Sequence, residues 1–155
     1  MARWFKLLGR AAISGTVASV TSTLTLAAAA KAERRGALRP VNATSHWLNG
    51  PAAAEVREAD MAHTGVGYGT HHAATFFWAV LFESLVGRRR APTILAIAQD
   101  AAVTGAVAAA VDYIATPKRF TPGWEYVLSK RSMALTYVAL SAGLMIGAVG
   151  HLRTA

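Results

Sequence analysis

The sequence predicts an all-α protein: a four-helix transmembrane bundle of up-down-up-down topology, with a polar first loop containing short helices. Three observations carry that expectation. Charged residues are only 15% of the 155, against 54% hydrophobic, whereas an ordinary soluble domain is about a quarter charged. Uncharged runs long enough to cross a bilayer recur along the chain, with Lys and Arg grouped at their ends, as happens where helices leave hydrocarbon. Within those runs small residues repeat every four positions, which lets helix backbones approach closely. The chain reads as a single integral membrane domain, residues 1–155.

Composition removes several classes of function. The net charge is +8, but the sixteen Lys and Arg residues flank apolar segments and do not form one stripe, so no nucleic-acid partner is expected. Cysteine is absent, which excludes disulfides, thiolate metal sites and cysteine nucleophiles. A metal site has to be built from His, Asp or Glu.

The first span covers about residues 11–30. Arg3, Lys6 and Arg10 precede it beside Trp4 and Phe5, the cationic and aromatic mixture of a headgroup layer. Ser14, Thr16, Ser19, Thr21, Ser22, Thr23 and Thr25 make it weakly apolar, and their hydroxyls predict a helix that faces protein more than lipid. Gly15, Ser19, Thr23 and Ala27 form a ladder of small side chains. A second reading of the same residues is a secretory signal ending at Ala30-Lys31-Ala32. Residues 31–64 are the polar loop. There Pro40 predicts an extended approach, Asn49-Gly50-Pro51 a turn, and residues 51–62 a short polar helix.

The second span, residues 65–87, is about 34 Å long at 1.5 Å per residue. Its uncharged part carries Phe76, Phe77, Trp78 and Phe82, of which the run Phe76, Phe77, Trp78 is read as lipid-facing bulk. It stops before Arg88, Arg89 and Arg90, which cannot enter hydrocarbon cheaply and are assigned to lipid headgroups. The third span, 92–115, opens at Pro92, is smooth along Ala101, Gly105 and Ala109, and ends before Pro117. Residues 117–131 form an interfacial loop with Phe120, Trp124 and Tyr126, helical after Thr121-Pro122. The fourth span, 132–152, carries Ala139, Gly143 and Gly147. Basic residues lie on both sides, so the positive-inside rule does not decide orientation; the tight arginine turn favours cytoplasmic termini.

Two groups of residues could carry chemistry. Topology brings His63, His71, His72 and Asp112 towards the interface opposite the termini, together with His46, where imidazole and carboxylate suit a divalent metal or haem. His71 and His72 point about 100° apart on a helix, so one faces inward and the other the interface. The alternative is that these are interfacial hydrogen-bonding groups engaged with Asp112, Tyr68 or loop carbonyls. Glu83 and Asp100 lie about 6 and 13 Å inward from the Arg88 turn on neighbouring helices, the placement of a proton-linked carrier of small solutes or ions. Alternatively Glu83 reaches Arg88 or Arg89, and Asp100 stays protonated or bonds Thr104 and the hydroxyl-rich first helix. His151 falls on the terminal side. The chain has no G-x-S-x-G elbow and no Gly-rich phosphate loop, and Gly65, Gly67 and Gly69 lack the strand that a dinucleotide fingerprint needs.

Asn42-Ala43-Thr44-Ser45-His46-Trp47, Thr70-His71-His72-Ala73-Ala74 with Phe77-Trp78, and Val111-Asp112-Tyr113 leading to Thr116-Pro117-Lys118-Arg119-Phe120-Thr121-Pro122-Gly123-Trp124-Glu125 carry a resemblance. Over residues 40–150 the chain resembles small uncharacterised bacterial inner-membrane proteins with four predicted transmembrane helices. The resemblance implies a bacterial cytoplasmic membrane and no activity. The expected function is a non-enzymatic accessory or packing partner whose small-residue faces bind other membrane helices or a second copy within the lipid bilayer. A histidine-based haem or metal protein and a proton-linked carrier are the alternatives, and a soluble alanine-rich four-helix bundle is the structural rival.

Overall fold

The computed structural model describes residues 1–153, which are helical with no strand among them. Four long helices, α1 (Ala2–Ala32), α4 (Val66–Val86), α5 (Ile94–Ala110) and α6 (Lys130–Arg153), are joined by loops that contain two short ones, α2 (Arg39–Ala43) and α3 (His46–Asn49). Three stretches are long and apolar enough to cross a membrane: Arg3–Ala32, Ile94–Ala115 and Lys130–Leu152. α4 has 21 residues, enough for a span, yet is not one of these three; His71, His72 and Glu83 lower its hydropathy.

α1 is the central element, packed on α6 along one side and on α4 along another, while α5 packs on α6 and touches α4 sparsely. The contacts fix the directions. Ser14 meets Glu83 and Ser22 meets His71, so α1 and α4 run antiparallel. Gly143 lies against Ala18 and Gly147 against Ser14, so α1 and α6 do too. The small-residue ladders are therefore closed within this chain: Gly15 faces Phe76 and Ala79, and Gly105 faces Ser141.

Polarity is arranged with hydroxyls inside and hydrocarbon outside. Ser14, Ser19, Ser22, Thr75, Thr104 and Thr136 are buried, whereas Ile13, Leu24, Phe77, Val103, Leu135 and Val138 are exposed. Four of these hydroxyls, on Ser22, Thr75, Thr104 and Thr136, return their protons to carbonyls one turn back, as Ser22 does to Ala18 at 2.7 Å and Thr75 to His71 at 2.8 Å, which removes the cost of leaving those donors unpaired.

The connections depart from expectation in three places. Pro40 does not hold an extended approach; it sits in the first turn of α2, where its missing N–H is no loss. The polar helix over 51–62 is only a 3₁₀ turn, Pro51–Glu55, followed by an extended Val56. Asn42 explains the break: its side-chain amide donates to the carbonyls of Val56 and Glu58 at 3.0 and 3.1 Å, which a continuing helix would need for itself. A π-helical turn, Met61–Gly65, then leads into α4, with the Asp60 carboxylate accepting from the His63 N–H at 2.6 Å. In the last connection the helix after Thr121-Pro122 is a single 3₁₀ turn, Trp124–Tyr126. Trp124 is not an interfacial anchor; it is 2% exposed and among the largest buried side chains.

Candidate functional site

α4 places Thr70, His71, Ala74, Thr75 and Trp78 on one face, by their helical spacing. That face looks across a gap at the end of α5, where the helix passes into a second π-helical turn, Val111–Ala115. The wider turn carries Asp112 off the regular α5 register. Its carboxylate accepts the Tyr137 hydroxyl of α6 at 2.6 Å. The two loops cover this end of the bundle. Gly67 lets the α2 segment press onto α4, since a Cβ there would run into the Val41 carbonyl. Gly123, at φ +80°, lies against the Ala43 carbonyl and the His46 ring, a backbone that favours glycine. This close approach drops the following Trp124 into the bundle.

The result is a cavity of about 300 Å³ walled by α4, α5, α6 and both loops. Trp47, Trp78, Trp124, Phe120, Tyr137 and Leu140 supply most of its surface, with His71, Asp112 and four threonines among them. The exposed residues Ala74 and Phe120 mark its mouth. Its polar atoms are largely bonded already. The Trp47 indole N–H donates to Thr70 and that of Trp124 to Thr44, both at 3.1 Å. His71 Nε2 is 2.9 Å from the Ser22 hydroxyl. Trp124 stands edge-on to His71 and tilted against Tyr137, with ring centres 5.6 Å apart in each case, a favourable aromatic geometry. Such walls offer an apolar body dispersion contact and flat stacking surfaces, and offer an ion little.

The histidine face does not assemble as one set. His71 is buried and turned to α1; His72 stacks on Tyr68 at 5.9 Å. Their divergence follows from the 100° step between helical neighbours. His63 lies outside the bundle, 2.8 Å from the Asp60 carboxylate, and the hydrogen bonds from the His63 backbone and ring hold that carboxyl below its ordinary range. His46 is bonded to the carbonyls of Ala43 and Lys118. Among the described residues no three His, Asp or Glu side chains are placed to hold one metal ion. The proposed ligands His63, His71, His72 and Asp112 are thus separated, because three of them already have partners within the protein. Only His71 and Asp112 share the cavity wall.

Glu83 and Asp100 are also separated. Asp100 takes two hydrogen bonds from the Arg89 guanidinium, each 2.8 Å, in place of the contact with the first helix; these bonds raise the Arg89 pKa. Glu83 does not reach Arg88 or Arg89. It is buried, accepts from Ser14 of α1, and meets His151 of α6 at 3.0 Å. Of the three arginines assigned to headgroups, Arg89 therefore has a protein partner, while Arg88 and Arg90 are exposed.

Sequence reasoning missed Trp47, Trp124 and Tyr137 as cavity walls and His151 as the partner of Glu83. The Pro122-Gly123-Trp124 step, a turn delivering a large aromatic, was the available signal for the first. For the second it was the common depth of Glu83 and His151 on the terminal side. No family model, curated protein or solved structure matches the chain.

Proposed function

We propose that the chain is a four-span protein of the bacterial inner membrane, an up-down-up-down bundle that acts as a non-enzymatic accessory protein by holding an amphipathic, membrane-soluble molecule in the aromatic cavity. One observation carries the binding reading: a cavity at the small end of ligand-pocket sizes, walled by three indoles, two of which, Trp47 and Trp124, have their N–H groups already bonded. The occupant is a neutral molecule with a flat or branched apolar body, entering past Ala74 and Phe120.

The fourth span is α4. It exposes Phe77, Leu81 and Leu85 and buries His71, Thr75 and Glu83, which is the polarity of a helix with lipid on one side and protein on the other. A soluble bundle places these the other way round. With four spans both termini share one side, and the arginine turn at Arg88 favours the cytoplasm for that side.

Two measurements test this reading. Alkaline carbonate should leave the protein in the membrane pellet, and release into the supernatant would remove the membrane assignment. Organic extracts of detergent-purified protein should yield a near-stoichiometric small molecule by mass spectrometry, lost in Ala74→Phe, which fills the mouth. Identical extracts from a folded Ala74→Phe would defeat the cavity reading.

A further inference from the structure

We infer that the terminal side of the bundle carries a second, separate site: a cationic recess that binds the phosphate of an anionic phospholipid headgroup. α1 begins well before the level at which α4 ends. Ser14 is level with Glu83, since they are bonded, so Arg10, Lys6 and Arg3 lie about 6, 12 and 16 Å further out along α1 at 1.5 Å per residue. Their spacing of three and four residues puts them on one face. That face overhangs the exit of α4, and Arg88 closes the other side. Between them is a recess of about 660 Å³ lined by Arg3, Lys6, Arg10 and Arg88, with Trp4 beside them and Glu83 and Ser84 at its inner wall.

The charges make a case beyond that of a solvated rim. Four cations face one recess, and no salt bridge among the described residues joins any of them to a carboxylate. Arg89, one residue from Arg88, is by contrast paired with Asp100. Among the described residues the one carboxylate in the wall is Glu83; one of its oxygens is bonded to Ser14 and His151, the other is buried, and none of the four cations pairs with it. Bringing four like charges together is unfavourable until an anion joins them, and guanidinium forks match phosphate oxygens. Trp4 and Phe5 are 69% and 72% exposed beside the recess, which places it at the depth of lipid headgroups. Free phosphate offers the same chemistry, but Leu7 and the Trp4 ring in the same wall and rim suit the glycerol and first acyl carbons of a lipid.

This site rests on the membrane assignment and is independent of the aromatic cavity; carbonate extraction tests that assignment by itself. The full chain in neutral detergent is melted, by circular dichroism, against added phosphatidylglycerol, phosphatidylcholine or sodium phosphate. Phosphatidylglycerol should raise the Tm saturably, and the other two should not. The half-saturating concentration should rise about fivefold for each cation removed, from roughly 1 kcal/mol per Lys or Arg near an anionic surface, in Arg10→Gln and Arg88→Gln, and stay unchanged in Arg90→Gln. Lys6→Gln, on an exposed side chain, gives the same reading should Arg10→Gln fail to fold. An equal response to phosphatidylcholine, an equal response to free phosphate, or an equal loss in Arg90→Gln would each overturn the proposal.

Discussion

The Glu83 carboxylate and the His151 imidazole meet at 3.0 Å in the interior, joining the last turn of α4 to the last turn of α6. The same carboxylate oxygen accepts the Ser14 hydroxyl of α1, so one side chain ties three helices at the terminal end of the bundle. Its second oxygen is buried with no protein donor among the described residues. Truncating one partner of a buried ionisable pair leaves the other unsolvated, at a cost of about 3 kcal/mol. Glu83→Ala should therefore lower the melting temperature sharply, and Glu83→Gln, which keeps an acceptor for Ser14, should lower it less. Equal melting of Glu83→Ala and the parent protein would show that the carboxylate ties nothing.

Helix packing gives a sharper contrast. A Cβ on Gly147 would sit 2.5 Å from the Ser14 Cα, and backbone cannot yield as a side chain can. Gly147→Ala should destabilise by about 2 kcal/mol through overpacking. Gly69→Ala on α4 meets nothing within 4 Å and should gain about 0.5 kcal/mol, from the lower helix propensity of glycine. Thermal melts of the two variants in one detergent settle the ordering, and a Gly147→Ala protein as stable as Gly69→Ala would refute the close α1–α6 approach.

The long helices were legible because each is marked by features a sequence shows directly: uncharged runs, basic ends, and Pro117 or Gly87 at a boundary. Helix limits moved both ways: α4 and α5 start later than expected, at Val66 and Ile94, whereas α1 continues outward from residue 11 to Ala2, since Arg3, Lys6 and Arg10 are good helix formers once outside hydrocarbon. The loops were not legible, because their conformation is set by partners far along the chain. Asn42 stops a helix near Val56, and Thr44 receives the Trp124 indole from 80 positions away. That one of His71 and His72 turns inward followed from helical geometry, but not which; the partner of His71, Ser22, was one of seven hydroxyls on α1 and nothing local distinguished it. The small-residue ladders were visible too, but spacing alone cannot say whether the facing helix belongs to this chain or another.

Arg89 and Asp100 close the short turn between α4 and α5 with two parallel hydrogen bonds of 2.8 Å. Such a fork is the strong form of the pair, but the arginine side chain is 43% exposed, so water weakens it. A double-mutant cycle with Arg89→Gln and Asp100→Asn should give a coupling of about 1 kcal/mol. Additive single effects would mean that the turn geometry, not the pair, holds the two helices together.

Glu33 supplies the pH dependence. It lies just past the end of α1 and receives the Ser129 and Ser132 hydroxyls at 2.6 Å and the Ser129 N–H at 3.1 Å, so it also places an anion at the start of α6, where the helix dipole favours one. The hydroxyls of Ser129 and then Ser132 are the chief reasons its pKa falls below the ordinary 4.5. An unfolded chain takes up the proton first as pH drops, so the contribution to stability is complete above about 4.5 and is lost as pH falls through the lower folded value. Hydrogen exchange at the Ser129 amide, corrected for its intrinsic rate, should accelerate over that acid range in the parent protein. In Glu33→Gln it should already be fast at neutral pH and change little on acidification. An acid response that persists unchanged in Glu33→Gln would assign it to another carboxylate and remove Glu33 as the clasp between α1 and α6.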